Sequence, residues 1–105
     1  MADTATEEVV EHCPAGQMVA ARLGDLIARH GGAALVIDYG DWRSRGDTFQ
    51  ALQKHQFTDP LAQPGHADLT AHVDFEALAL AAAPARHAFT TQGQLLAALG
   101  IEARA

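Results

Sequence analysis

Apolar residues in this chain fall into short groups with distinct periods, set apart by polar, glycine- or proline-bearing stretches. Met18, Val19, Leu23, Leu26 and Ile27 recur at three- and four-residue spacing, which is one apolar stripe on a helix. Pro14 suits the first turn of that helix, where its missing N–H costs nothing. Arg29 and His30 suit the last turn, and Gly31-Gly32 ends it, so a helix is predicted over 14–30. Ala33-Ala34-Leu35-Val36-Ile37 then runs apolar without alternation, the pattern of a strand buried on both faces of a parallel sheet. It leads into Asp38-Tyr39-Gly40, and the carboxyl ends of strands are where open α/β sheets carry their binding crevice. Residues 41–48 read as a polar loop. Residues 48–57 read as extended, because Phe49, Ala51 and Phe57 alternate although Leu52 breaks the pattern. Pro60, Pro64 and Gly65 interrupt the chain again. Asp74 is a good cap for a helix through Ala83 with Phe75, Leu78 and Ala82 on one face, and Pro84 stops it. Residues 86–90 read as a second core strand. Thr91 and Gln94 form a capping box ahead of Leu95, Leu96 and Leu99, with Gly100 closing the last helix. The order of helix, strand, irregular excursion, helix, strand and helix is an α/β pattern.

Composition narrows the function classes. The chain has 105 residues, enough for one small core, and 49% are hydrophobic, so composition does not call for disorder. A formal charge of -6 argues against nucleic acid, whose backbone needs a basic stripe. No apolar run approaches the roughly 20 residues of a membrane helix, so no membrane role is expected. The single cysteine, Cys13, has no internal partner, which fits a reducing compartment, and a bacterial-like cytoplasmic location is expected. Residues 1–10 are acidic and polar, read as a flexible N-terminus without the basic start of a signal peptide.

Candidate chemistry concentrates in residues 65–75, Gly-His-Ala-Asp-Leu-Thr-Ala-His-Val-Asp-Phe. His66, Asp68, His72 and Asp74 are residue types that ligate zinc or non-haem metals. The plainer reading, and the favoured one, has Asp68 starting a turn, Asp74 capping a helix and both histidines solvated, so no metal is assigned. Cys13 lacks a flanking base and reads as a buried or incidental thiol. Asp38 and Tyr39 are equally readable as substrate-positioning groups or as an ordinary strand end. Trp42 and Arg43 read as loop residues. Gly31-Gly32 precedes a strand instead of following one, so it cannot be the cofactor turn of a dinucleotide-type fold.

Several segments together carry a resemblance. They are Glu11-His12-Cys13-Pro14-Ala15, the run from Gly31 to Gly40, Gly46-Asp47-Thr48-Phe49-Gln50-Ala51, and the run from Ala67 to Phe75. Thr91-Gln92-Gly93 and Leu99-Gly100-Ile101 follow in the same order. In these the chain resembles the MidA-like class I S-adenosylmethionine-dependent methyltransferases, whose mitochondrial member is an arginine methyltransferase that assists respiratory complex I assembly. The resemblance implies an α/β, Rossmann-like methyltransferase fold, here partial and truncated, with residues 11–105 as the C-terminal portion of the domain. It implies that 33–39 and 85–91 are the fifth and sixth strands and 41–73 an insertion on the substrate side. By position, Asp38, Tyr39, Gly40, Asp68, Thr70, His72 and Asp74 would form the substrate-side lip, with no catalytic role assigned.

Departures from the family pattern set further expectations. The family's cofactor-binding glycine loop and ribose-holding acid have no counterpart here, and His66 stands where an acidic residue is usual. The resemblance therefore implies S-adenosylmethionine for the full-length family and none for this chain alone. It also implies a protein substrate and a companion N-terminal half carrying the cofactor loop. Exposed sheet edges would permit oligomers and leave the isolated chain marginally stable. A non-catalytic interaction module and a small His/Asp metalloprotein are the alternatives in other classes.

Overall fold

A computed structural model describes residues 8–104; the first part of the expected flexible N-terminus, residues 1–7, lies outside the described residues, and 8–10 form an exposed, irregular approach. The first helix, α1, spans Pro14–His30 as its period and end signals predict, with Pro in the first turn. Cys13 is its cap: the exposed thiol accepts the Gly16 N–H at 3.4 Å, so it is neither buried nor incidental. At the other end Gly31, at φ 74°, donates its N–H to the Ile27 carbonyl at 2.8 Å. Arg29 pairs with Asp25 one turn back at 2.6 Å on the exposed face.

The two expected core strands do not form. Residues 33–38 are exposed and unpaired, with Leu35 76% and Ile37 75% accessible. A strand apolar on both faces needs a ladder on each edge and a layer on each side; among the described residues none is supplied. Residues 86–90 also lack a ladder and are held instead by aromatic packing. Trp42 stacks on His87 with centroids 5.5 Å apart, and Phe89 tilts against Trp42 and Phe75 at 5.6 and 5.4 Å.

The sheet structure lies in the excursion that the sequence pattern leaves irregular. A two-residue strand β1, Gly40–Asp41, runs parallel to β5, Val73–Asp74. Strands β2 (Gln50–Gln53), β3 (Gln56–Thr58) and β4 (Asp68–Thr70) form an antiparallel sheet in the order β3-β2-β4. The extended reading of 48–57 holds for β2 and the start of β3 but misses the turn between them, where Lys54 and His55 take φ of 51° and 65°. Asp68 does not start a turn; it is the first residue of β4.

Helix α2, Phe75–Ala81, begins at the expected cap, with the Asp74 carboxylate accepting the Ala77 N–H at 3.1 Å, and ends two residues short of Ala83. It packs on α1 at Gly24, the one buried residue of that helix. Helix α3, Gln92–Ala98, has both halves of the Thr91–Gln94 capping box at 3.2 Å, and a last turn, α4, covers Ile101–Arg104. The result is a mixed α/β structure with little interior: Ala51, 1% accessible, is the one buried hydrophobic side chain among the described residues.

Candidate functional site

Where β1 meets β5, three of the expected lip residues come together. The Val73 N–H donates to the Tyr39 carbonyl at 2.8 Å, and Gly40 lies opposite Val73. A side chain at Gly40 would start 2.8 Å from the Val73 nitrogen, so only glycine permits this approach. The contact draws the His72–Val73 segment alongside Tyr39.

A pocket of about 260 Å³ opens there, lined by Tyr39, Gln50, Leu52, Phe57, Thr70 and His72. The register explains the set. Gln50 and Leu52 are two apart on β2 and share a face. Thr70 lies directly opposite Gln50, and Phe57 directly opposite Leu52, so all four project from one side of the sheet. Asp68 is paired with Leu52 across the other edge of β2 and therefore projects from the same side. Ala51, with Leu69 and Thr58 as partners, faces the opposite way.

The His72 side of the pocket is tied to the approach to α1. Glu11 is half-buried and its carboxylate accepts both the Thr48 hydroxyl and the Thr48 N–H, the latter at 3.2 Å. The Thr48 hydroxyl oxygen in turn accepts the His72 N–H at 2.8 Å. One chain of hydrogen bonds thus joins the approach to α1, the loop before β2 and the β4–β5 connection. On the outer side Arg43 bonds Glu76 at 2.8 Å, while the Glu76 N–H donates to the Trp42 carbonyl. The hydrogen bond and charge of Glu76 raise the Arg43 pKa above its ordinary value, so this cation persists at any working pH.

The chain is similar to known methyltransferases over most of its length. Residues 1–93 match the family described as "Putative S-adenosyl-L-methionine-dependent methyltransferase". The mitochondrial protein arginine methyltransferase NDUFAF7 of Xenopus tropicalis is 38% identical over 104 residues, covering 97% of this chain. The Drosophila melanogaster homologue is 39% identical over 86% of the chain, and the Homo sapiens protein 47% identical over 70%. The chain belongs to this methyltransferase family. It spans 24%, 19% and 17% of the lengths of those three relatives. The expected bacterial-like cytoplasmic location is overturned, because these relatives are named as mitochondrial proteins.

Within this family member the sequence-derived lip divides. Tyr39, Gly40, Thr70 and His72 are brought together, and Asp68 shares the pocket's side of the sheet. Asp38 and Asp74 are turned to local work: the Asp38 carboxylate accepts the Tyr39 N–H at 2.7 Å, and Asp74 caps α2. His66, Asp68, His72 and Asp74 do not converge, and among the described residues no group of three or more His, Cys, Asp or Glu side chains could hold a metal. Gln50, Leu52 and Phe57 were missed; the signal was the shared face of Gln50 and Leu52, hidden until the turn at Lys54-His55 supplied Phe57 as a partner.

The described residues include no glycine-rich cofactor turn. No strand among them leads through a glycine turn into a helix: Gly31 and Gly32 follow α1, and β5 enters α2 directly through Asp74. A second hollow, about 380 Å³, is lined by Met18, Val19, Arg22 and Leu23, all from one open face of α1.

Proposed function

We propose that this chain is the C-terminal, substrate-facing portion of a class I S-adenosylmethionine-dependent protein arginine methyltransferase domain of Rossmann-like design. Its substrate is a protein, with the role in complex I assembly that the family resemblance implies. The cofactor cradle comes from a companion segment, which also covers the apolar surface left open here. The observation that carries this reading is the family match across residues 1–93, together with a pocket walled by Tyr39, Thr70 and His72 from the family-like segments.

Co-expression with a family polypeptide that carries the glycine-rich cofactor loop tests it. A stable complex that transfers labelled methyl groups from S-adenosylmethionine to protein arginine is expected. A companion that folds alone and neither binds this chain nor gains activity from it would contradict the reading.

The second reading, a non-catalytic interaction module, is favoured by the exposed apolar residues Leu35, Val36 and Ile37. It predicts the same complex without methyl transfer.

A further inference from the structure

Resting on the methyltransferase reading above, we propose that the pocket of Tyr39, Gln50, Leu52, Phe57, Thr70 and His72 receives one arginine side chain of the protein substrate, with Asp68 at its rim meeting the guanidinium. The pocket, about 260 Å³ and open on one side, has room for a single side chain. Its chemistry then selects the kind. Tyr39 and Phe57, 77% and 74% accessible, bring two exposed aromatic rings to the pocket, and aromatic faces attract planar cations. A guanidinium is planar, weakly hydrated and stacks on aromatic faces, whereas a lysine ammonium is compact and strongly hydrated. Its aliphatic stem suits Leu52 at the pocket wall.

The polar groups agree. A guanidinium offers five N–H donors and accepts nothing. Gln50 and Thr70, directly opposite each other across β2 and β4, bring a carbonyl and a hydroxyl oxygen as acceptors. Asp68 adds a full negative charge on the same side of the sheet, adjacent to Leu52, and charge-assisted bonds of this kind are the stronger ones. No residue of β2, β3 or β4 is basic, and the chain's net charge of -6 favours approach of a cationic segment. The Glu11–Thr48–His72 chain of hydrogen bonds makes Thr48 and Glu11 positioning residues that hold the His72 side of the pocket.

The probe is a fluorescent Gly/Ser peptide carrying one arginine and a photo-reactive group, titrated against the whole chain by anisotropy. Matched peptides carry citrulline, lysine or leucine instead. The arginine peptide should bind best, citrulline should lose most of the binding, and crosslinks should map to Phe57, Thr70 or His72. Phe57→Leu, which keeps apolar bulk and removes the ring, should weaken binding roughly 3- to 30-fold, the range of a cation–π contact. Asp68→Asn, which keeps shape and removes charge, should give a loss that citrulline does not add to. Circular dichroism matching the parent confirms that either variant remains folded, as expected for two exposed positions.

Equal binding of the leucine or citrulline peptide overturns the assignment, as do crosslinks confined to Met18 and Val19 or unchanged binding by both variants. Methyl transfer by the complemented enzyme with a peptide KM unmoved by Phe57→Leu and Asp68→Asn sinks the pocket alone. Arginine-specific binding through these residues without methyl transfer leaves the pocket standing and removes the methyltransferase reading.

Discussion

A methyl group added at Gly24 would sit 2.7 Å from the Cα and the carbonyl carbon of Ala82, where α1 crosses the end of α2. Glycine inside a helix costs about 1 kcal/mol against alanine, and here the close approach explains its presence. Gly24→Ala should therefore destabilise the helix pair by up to about 2 kcal/mol, the cost of overpacking less the helix gain, read as faster amide exchange in α1 and α2. Thr48 works through hydrogen bonds alone. Thr48→Ala should release the His72 and Val73 amides to faster hydrogen exchange, and Thr48→Ser should restore protection because it keeps the hydroxyl that accepts from His72. Neither role was legible in the sequence. Gly24 lies within an ordinary helical stripe, and Thr48 acquires its partners from residues 37 and 24 positions away.

Helices were legible because their signals are local. Pro14, Gly31, Asp74 and the Thr91–Gln94 box each act within one turn, and each appears where the sequence puts it. Asp74→Ala should cost about 1 kcal/mol through the lost cap on α2, measurable as reduced helicity with α3 unaffected. Strands were not legible in the same way, because a strand exists only with a neighbour. The run 33–37 has the composition of a buried strand and no strand partner among the described residues, while the short, half-polar Gln50–Gln53 becomes a central strand because 56–58 and 68–70 flank it. The turn between β2 and β3 puts two non-glycine residues at positive φ, where Asn-Gly is the favoured pair. Replacing Lys54 and His55 with Asn-Gly should stabilise the hairpin by roughly 1 kcal/mol, since the left-handed conformation costs ordinary residues about 1–2 kcal/mol each. Amide exchange of β2 is the readout.

At the scale of the whole molecule, the surface does not match the mass. The chain exposes 8797 Å², against about 5,700 Å² for a compact protein of its mass. Its radius of gyration is 16.9 Å, against about 13 Å for a compact domain of this length. Met18, Val19, Leu35, Val36 and Ile37 are among the large apolar residues left exposed. The isolated chain should accordingly show no cooperative thermal transition as a dilute monomer, and sharp unfolding of a monodisperse sample would count against that. The family was legible from the order of short motifs; the pocket was not, because it depends on strand register. We propose that this chain carries the substrate side of a methyltransferase and that a companion segment holds the cofactor. Isothermal titration of S-adenosylmethionine into the chain alone should give no saturable heat; one-site binding at micromolar affinity would overturn this division between the two parts.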